Sequence, residues 1–276
     1  MRLFRRRSLF GVFLATALVV LSAGYAVAQR RGFGGGGGRY APAVFPDGDF
    51  VICRLHYPEG RRFAGGFMTD YPLGEQNLSI RFSELTRTRV SRGPDRSVNH
   101  YLVRLDDEQL FNCPFLMAGD VGSMSLDNPA DAKRLREYLL KGGFLWTDDM
   151  WGEEQWEVWQ AEMAKALPPG QYPVEEITPT DPLFRSQVVV SAMPQIPNYP
   201  HWRRTGGDTS EMGEESRVPH FHVVRDSDGR IMVAMTRNTD IADAFEREAE
   251  NPQYFSQFGP KGYALGINVL LHALTH

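Results

Sequence analysis

Short apolar runs alternating with segments of helical spacing set the pattern of this chain. Phe50-Val51-Ile52-Cys53 opens a near-continuous apolar run that reads as a strand as far as Tyr57, as expected where both faces of a strand are covered. Cys113 to Ala118 and Phe144 to Thr147 repeat the pattern, and Val98 to Leu105 alternates as a shorter strand. Between these runs, Leu78, Phe82 and Leu85 recur at a spacing that shares one helical face, and so do Leu135, Tyr138 and Leu139. Trp156, Trp159, Met163 and Leu167 form a third such face, with the tryptophans at core positions. Asp127-Asn128-Pro129 starts the second helix with a capping residue and a first-turn proline, and Gly142-Gly143 ends it.

Residues 171–219 hold seven prolines and read as irregular, with one strand predicted at Gln187–Ser191 and a polar surface insertion from His201 to Pro219. His220–Val224 and Arg230–Met235, joined by Asp226-Ser227-Asp228-Gly229, form a hairpin. Gly262–Leu274 reads as a closing helix. Strands alternating with helices predict a three-layer α/β sandwich with a mostly parallel central sheet.

Polar residues cluster where the apolar runs end. His56, Asp120, Asp148, Asp149, Asn238 and Asp240 each stand at or shortly after the end of a predicted strand, and a parallel sheet brings such positions to one edge, where ligands bind. Asp70 stands in a Gly- and Pro-rich loop expected over that edge, and Trp151 follows the acidic pair. Asp70, Asp120, Asp148, Asp149, Trp151, Asn238 and Asp240 are therefore the ligand-binding candidates. Competing structural roles exist for two of them: one carboxylate of the Asp148-Asp149 pair is equally well read as capping the helix that begins near Glu153, and Asp70 suits a local turn.

Composition narrows the setting. Arg2, Arg5, Arg6 and Arg7 precede an apolar stretch from Leu9 to Leu21 and the small-residue pattern Ala26-Val27-Ala28. Residues 1–28 are thus read as a signal peptide, exported by the general or the twin-arginine route to a periplasmic or secreted location. Residues 29–44, with the run Gly32–Gly38, form a Gly-rich linker, and residues 45–276 a single domain. The Gly run is no phosphate loop, since no strand precedes it and no Gly-Lys-Ser/Thr follows. Removing residues 1–28 takes four arginines and no acids from 30 basic and 34 acidic residues, leaving a net charge of −8. That balance offers nucleic acid no footprint. No segment after the signal is long and apolar enough to span a membrane. Cys53 and Cys113 permit one disulfide in an oxidising compartment, but their apolar surroundings favour two free, buried thiols.

The motifs Asp70-Tyr71-Pro72, Pro114-Phe115-Leu116, Gly142-Gly143-Phe144-Leu145, Asp148-Asp149, Trp151-Gly152, Asn238-Thr239-Asp240 and Leu265-Gly266-Ile267-Asn268 occur in order. Together they resemble the bacterial family called domain of unknown function 4159, over about residues 48–276. The resemblance implies a glutamine amidotransferase-like, flavodoxin-like fold and no established activity. An amidotransferase of that fold needs a cysteine at the strand-to-helix turn, and the turn after Ala118 is Gly119-Asp120-Val121-Gly122 instead. His220 and His222 share a strand face and are candidate zinc ligands with Asp148 or His56 as a third, against the preferred reading as polar hairpin residues. No motif assigns a cofactor. The leading functional expectation is a non-catalytic binding or assembly module of the cell envelope, taking a small ligand or an envelope protein. The alternative is a hydrolase using Asp148 or Asp149 with a histidine, with or without a metal.

Overall fold

Seven strands form one sheet in the order β2-β1-β3-β4-β7-β6-β5. The computed structural model describes residues 38–60 and 65–276; the expected signal peptide and the start of the linker lie outside them. The strands are β1 (Ile52–Leu55), β2 (His100–Val103), β3 (Phe115–Ala118), β4 (Phe144–Thr147), β5 (Val174–Ile177), β6 (His220–Arg225) and β7 (Ile231–Arg237). From β2 to β7 all neighbours are parallel, while β6 and β5 add on antiparallel. Every residue of β1, β3, β4 and β7 is buried, which explains their nearly continuous apolar runs, broken by Arg54 in β1 and by Thr147 and Thr236-Arg237 at the ends of β4 and β7. Arg39 and Ala41 extend the β2 edge by exchanging backbone hydrogen bonds with Leu102, at 2.7 and 2.9 Å.

Alternate strand residues feed two cores. Ile52, Phe115, Phe144, Trp146 and Ala234 face α1 (Leu73–Thr86) and α6 (Pro252–Thr275), meeting Leu78, Phe82, Leu265 and Val269. Cys53, Leu116, Leu145 and Val233 face the opposite way, toward Leu135, Leu139, Trp159 and Met163 of α2 (Pro129–Leu140) and α3 (Gly152–Ala166). Two short helices, α4 (Tyr199–Thr205) and α5 (Asp243–Glu246), lie in the connections around β6 and β7. The result is the expected three-layer α/β sandwich. Asn128 caps α2 by accepting from the Ala130 N–H at 3.1 Å, with Pro129 in the first turn.

Several elements differ from the sequence reading. Gln187–Ser191 is not a strand: its backbone is held by buried Asn268 of α6, whose Oδ1 accepts from the N–H groups of Gln187 and Val188 at 2.9 and 3.0 Å. The outer strand is β5 instead, hidden in the sequence because Glu175 and Glu176 project from an exposed edge. Helix α6 begins ten residues before the predicted Gly262, running through Pro260. It approaches α5 closely, and a Cβ at Gly262 would stand 2.6 Å from that of Ala244. Leu85 is 54% exposed rather than facing the core. Cys53 and Cys113 are joined in a disulfide with Cα atoms 5.9 Å apart, correcting the expectation of free thiols. Cys113 stands just before β3, the neighbour of β1, and so comes within reach of Cys53.

Candidate functional site

The carboxyl ends of β3, β4 and β7 meet the loop after β1 at one edge of the sheet. Asp70, Asp120, Asp149 and Asn238 all adopt left-handed backbone there, with φ of 63, 48, 56 and 58°. Aspartate and asparagine enter this region more readily than other side-chain-bearing residues. Each turns the chain sharply at a strand or loop end and keeps a short polar group near the edge.

Asp120 occupies the turn immediately after β3 and leads into a short 3₁₀ segment, Val121–Ser123. Its Oδ2 accepts from the Gly66 N–H at 2.6 Å, and its carbonyl accepts from the hydroxyls of Tyr57 and Ser123, both at 2.8 Å. Asp148 is fully buried. Its Oδ1 accepts from the Thr236 hydroxyl and its Oδ2 from the Ala242 N–H at 2.8 Å. Burial raises its pKa to about 6, against the stabilising pull of those donors. This carboxylate ties β4 to the segment leaving β7, and it does not cap α3.

That cap comes from Asn238, whose Oδ1 accepts from the Gly152 N–H at 3.0 Å while its Nδ2 donates to the Val218 carbonyl at 2.8 Å. Asp149 accepts from the indole N–H of Trp151 at 2.9 Å. Trp151 is 4% exposed and braces Asp149 instead of presenting a stacking face. Asp240 accepts from the Asp243 N–H at 2.9 Å and so starts α5. Of the seven candidates, then, Asp148, Trp151 and Asn238 have their polar atoms directed at neighbouring protein groups. Asp70 and Asp149, at 8% and 9% exposure, retain slight contact with solvent.

Other acids join the edge without a clear sequence signal. Asp243 accepts from Tyr199 N–H at 2.5 Å, Tyr254 hydroxyl at 3.0 Å and Arg247 Nε at 3.0 Å. Glu211, from the stretch read as a surface insertion, accepts from the Asn198 N–H at 2.6 Å. The spacing Asp240-x-x-Asp243-x-x-Glu246 is the one trace of this extension along the chain. Burial first, then neighbouring carboxylates, drives Asp70, Asp149 and Asp240 well above the usual carboxylate range. Burial likewise raises Glu211 and Glu246 to about 7.

Beneath Asp70, fully buried Arg54 of β1 pairs with Glu75 of α1 through Nε and Oε1 at 2.5 Å. Its two terminal amino groups have no hydrogen-bond partner, nor has Asp70 Oδ2. Gly119 makes room for both groups: a Cβ there would lie 2.8 Å from Arg54 Nη1 and 3.9 Å from Asp70 Oδ2.

The histidines lie apart from this arrangement. His220 Nδ1 pairs with Glu176 at 2.8 Å, and the His222 ring packs 4.4 Å from Trp156. His56 bonds the Tyr40 hydroxyl at 2.6 Å and stacks on Phe67 at 3.8 Å. The zinc grouping of His220 and His222 with Asp148 or His56 does not form: these residues do not bring ligand atoms together, and each ring has its own partner, Glu176, Trp156 or Tyr40 and Phe67. The three-acid group that does converge among the described residues is Asp70, Asp240 and Asp243.

The family model described as domain of unknown function (DUF4159) matches residues 51–274. The chain belongs to the DUF4159 family. No curated protein matches it. The matched region of this DUF4159 protein spans all seven strands and the whole acidic edge, and no helix among the described residues is long and apolar enough to cross a membrane.

Proposed function

We propose that this DUF4159 domain is an exported, non-catalytic binding or assembly module of the cell envelope, with its ligand seat at the acidic carboxyl edge of the sheet. The carrying observation is that Asp70, Asp120, Asp149 and Asp240, from four chain segments, converge there with neither a cysteine thiol nor a histidine beside them among the described residues. Asp120 stands at the turn after β3, and a carboxylate held by the Gly66 N–H cannot replace an amidotransferase cysteine. Among the described residues, no histidine ring hydrogen-bonds to a carboxylate of this edge; the ring partners are Tyr40, Tyr71, Arg204, Glu176 and Thr275. This weighs against the alternative of a hydrolase built on Asp148 or Asp149 and a histidine.

Two further features support the reading. The parallel strands run β2-β1-β3-β4-β7, the succession of a flavodoxin-like frame with its ligand edge at the strand ends. The Cys53–Cys113 disulfide suits a periplasmic or secreted protein, because such bonds persist in oxidising compartments, and it agrees with the signal-like residues 1–28.

The test is a turnover screen of the purified mature protein against ester, amide, glycoside and phosphoester substrates, repeated with Asp149→Asn and Asp120→Asn. The expected result is no turnover attributable to the edge. A turnover abolished by either substitution, with an unchanged unfolding midpoint, overturns the module reading.

A further inference from the structure

We propose that Asp70, Asp240 and Asp243 form a site for a hard divalent cation of the magnesium, calcium or manganese class. This deepens the module reading by naming a ligand of the same edge. Each of the three residues offers a carboxylate oxygen within 4.8 Å of those of the other two, close enough for a single ion at oxygen-ligand distances of about 2.0–2.6 Å. They come from three places: the loop before α1, the exit from β7 and the first turn of α5. All three are at least nine-tenths buried, at 8%, 1% and 1% exposure. The set is purely carboxylate, and without sulfur or imidazole it selects hard cations over zinc or copper.

Convergent acids alone do not define a site, but two other observations point to an occupant. Asp70 Oδ2 is buried and receives no donor, the Asp70 carboxyl stands in hydrogen-bond reach of a second acid, Glu246, and Arg54 meets its charge only in part; burying such an oxygen is costly unless something positive joins it. The remaining ligands are also oriented as metal ligands are, by outer hydrogen bonds. Tyr254, the Tyr199 N–H and Arg247 fix Asp243, and the Asp243 N–H fixes Asp240.

Local charge favours the same conclusion. Asp148, Asp149 and Glu246 surround the three ligands electrostatically. Among the described residues two cations act on this cluster: Arg54, whose Nε pairs with Glu75 while its terminal amino groups offset part of the Asp70 charge, and Arg247, which is shared among Asp243, Glu246 and Glu250; two guanidinium groups do not balance the carboxylates gathered there. Protons shared between the acids are the competing way to neutralise the cluster, and they predict no response to metal.

The experiment uses the mature protein stripped with chelator at neutral pH. Calorimetric titration with magnesium, calcium and manganese chloride is expected to show one ion per chain and a rise in the thermal midpoint. Asp240→Asn and Asp70→Asn should weaken binding by more than about tenfold, the loss that outer-shell changes alone produce. Asp228→Asn, in the exposed hairpin turn, should not. Terbium luminescence displaced by calcium reads the wild-type site without reliance on any variant. Wild-type protein that binds none of the three ions up to about 10 mM, above the range of extracellular calcium modules, overturns the site. Undiminished binding by both ligand variants overturns it equally. Neither result touches the module reading, which falls only to a turnover that depends on the edge.

Discussion

Asp148 and Asp240 are both fully enclosed acids at the same sheet edge, yet their side chains do opposite work. Asp148 receives a donor on each oxygen, from Thr236 and Ala242. Replacing it with asparagine puts an amide N–H against one of those donors and leaves a buried group unmatched. Asp148→Asn should therefore cost roughly 2 kcal/mol, the penalty of an unsatisfied buried donor, measured by urea unfolding. Asp240→Asn keeps the oxygen that accepts from the Asp243 N–H while removing a charge repelled by Asp70, Asp149 and Asp243. In chelator it should unfold at an equal or higher urea concentration than the wild type, and added cation should reverse that order. The acidic pair was legible in the sequence as a polar strand end. Its division of labour was not, because the deciding partner Ala242 lies 94 residues away.

Among the elements, legibility followed burial. β1, β3 and β4 were readable because parallel strands covered on both faces carry continuous apolar runs, and the β6–β7 hairpin because its turn residues stand between two such runs. β5 escaped because an edge strand exposes Glu175 and Glu176, which break the apolar signal. The stretch around Val188 misled in the opposite sense: its valines look strand-like, but its backbone groups bond to Asn268. Asn268→Ala should strand these groups and cost about 3 kcal/mol, seen as a lowered denaturation midpoint. The cysteines were invisible as a pair because apolar context describes burial, not partnership. Their bond joins β1 to the entry of β3 across a sequence separation of 60. The double variant Cys53→Ala/Cys113→Ala should lose about 4 kcal/mol on the loop-entropy estimate, and reduction of the unfolded wild type should erase the difference.

At the scale of the whole molecule, the acidic edge makes stability depend on pH in a way that separates it from the rest of the protein. Burial and mutual repulsion hold Asp70, Asp149 and Asp240 well above their ordinary range and Glu211 and Glu246 at about 7, against unfolded values near 4. Among the described residues, Arg54, Arg204 and Arg247 are guanidinium groups that oppose the shift. Because the folded values are raised, the fold favours the protonated acids. Their contribution is fully present below about pH 4 and is lost as pH rises through the folded values. His100, His222 and His272, depressed to about 4 by burial, act in the other direction, but only below their unfolded value near 6.5. The interval from pH 7 to 9 therefore isolates the acids. In chelator the thermal midpoint should fall across it by at least about 2 °C, the response of a domain this size to the roughly 0.8 kcal/mol that Glu211 and Glu246, half-protonated at its lower end, lose together. Saturating calcium or manganese should flatten that fall, since the cation replaces the protons and releases them on binding. A midpoint that holds constant from pH 7 to 9 in chelator would mean that the acids are already neutralised by protein groups, and a cation would then have no unmet charge to bind.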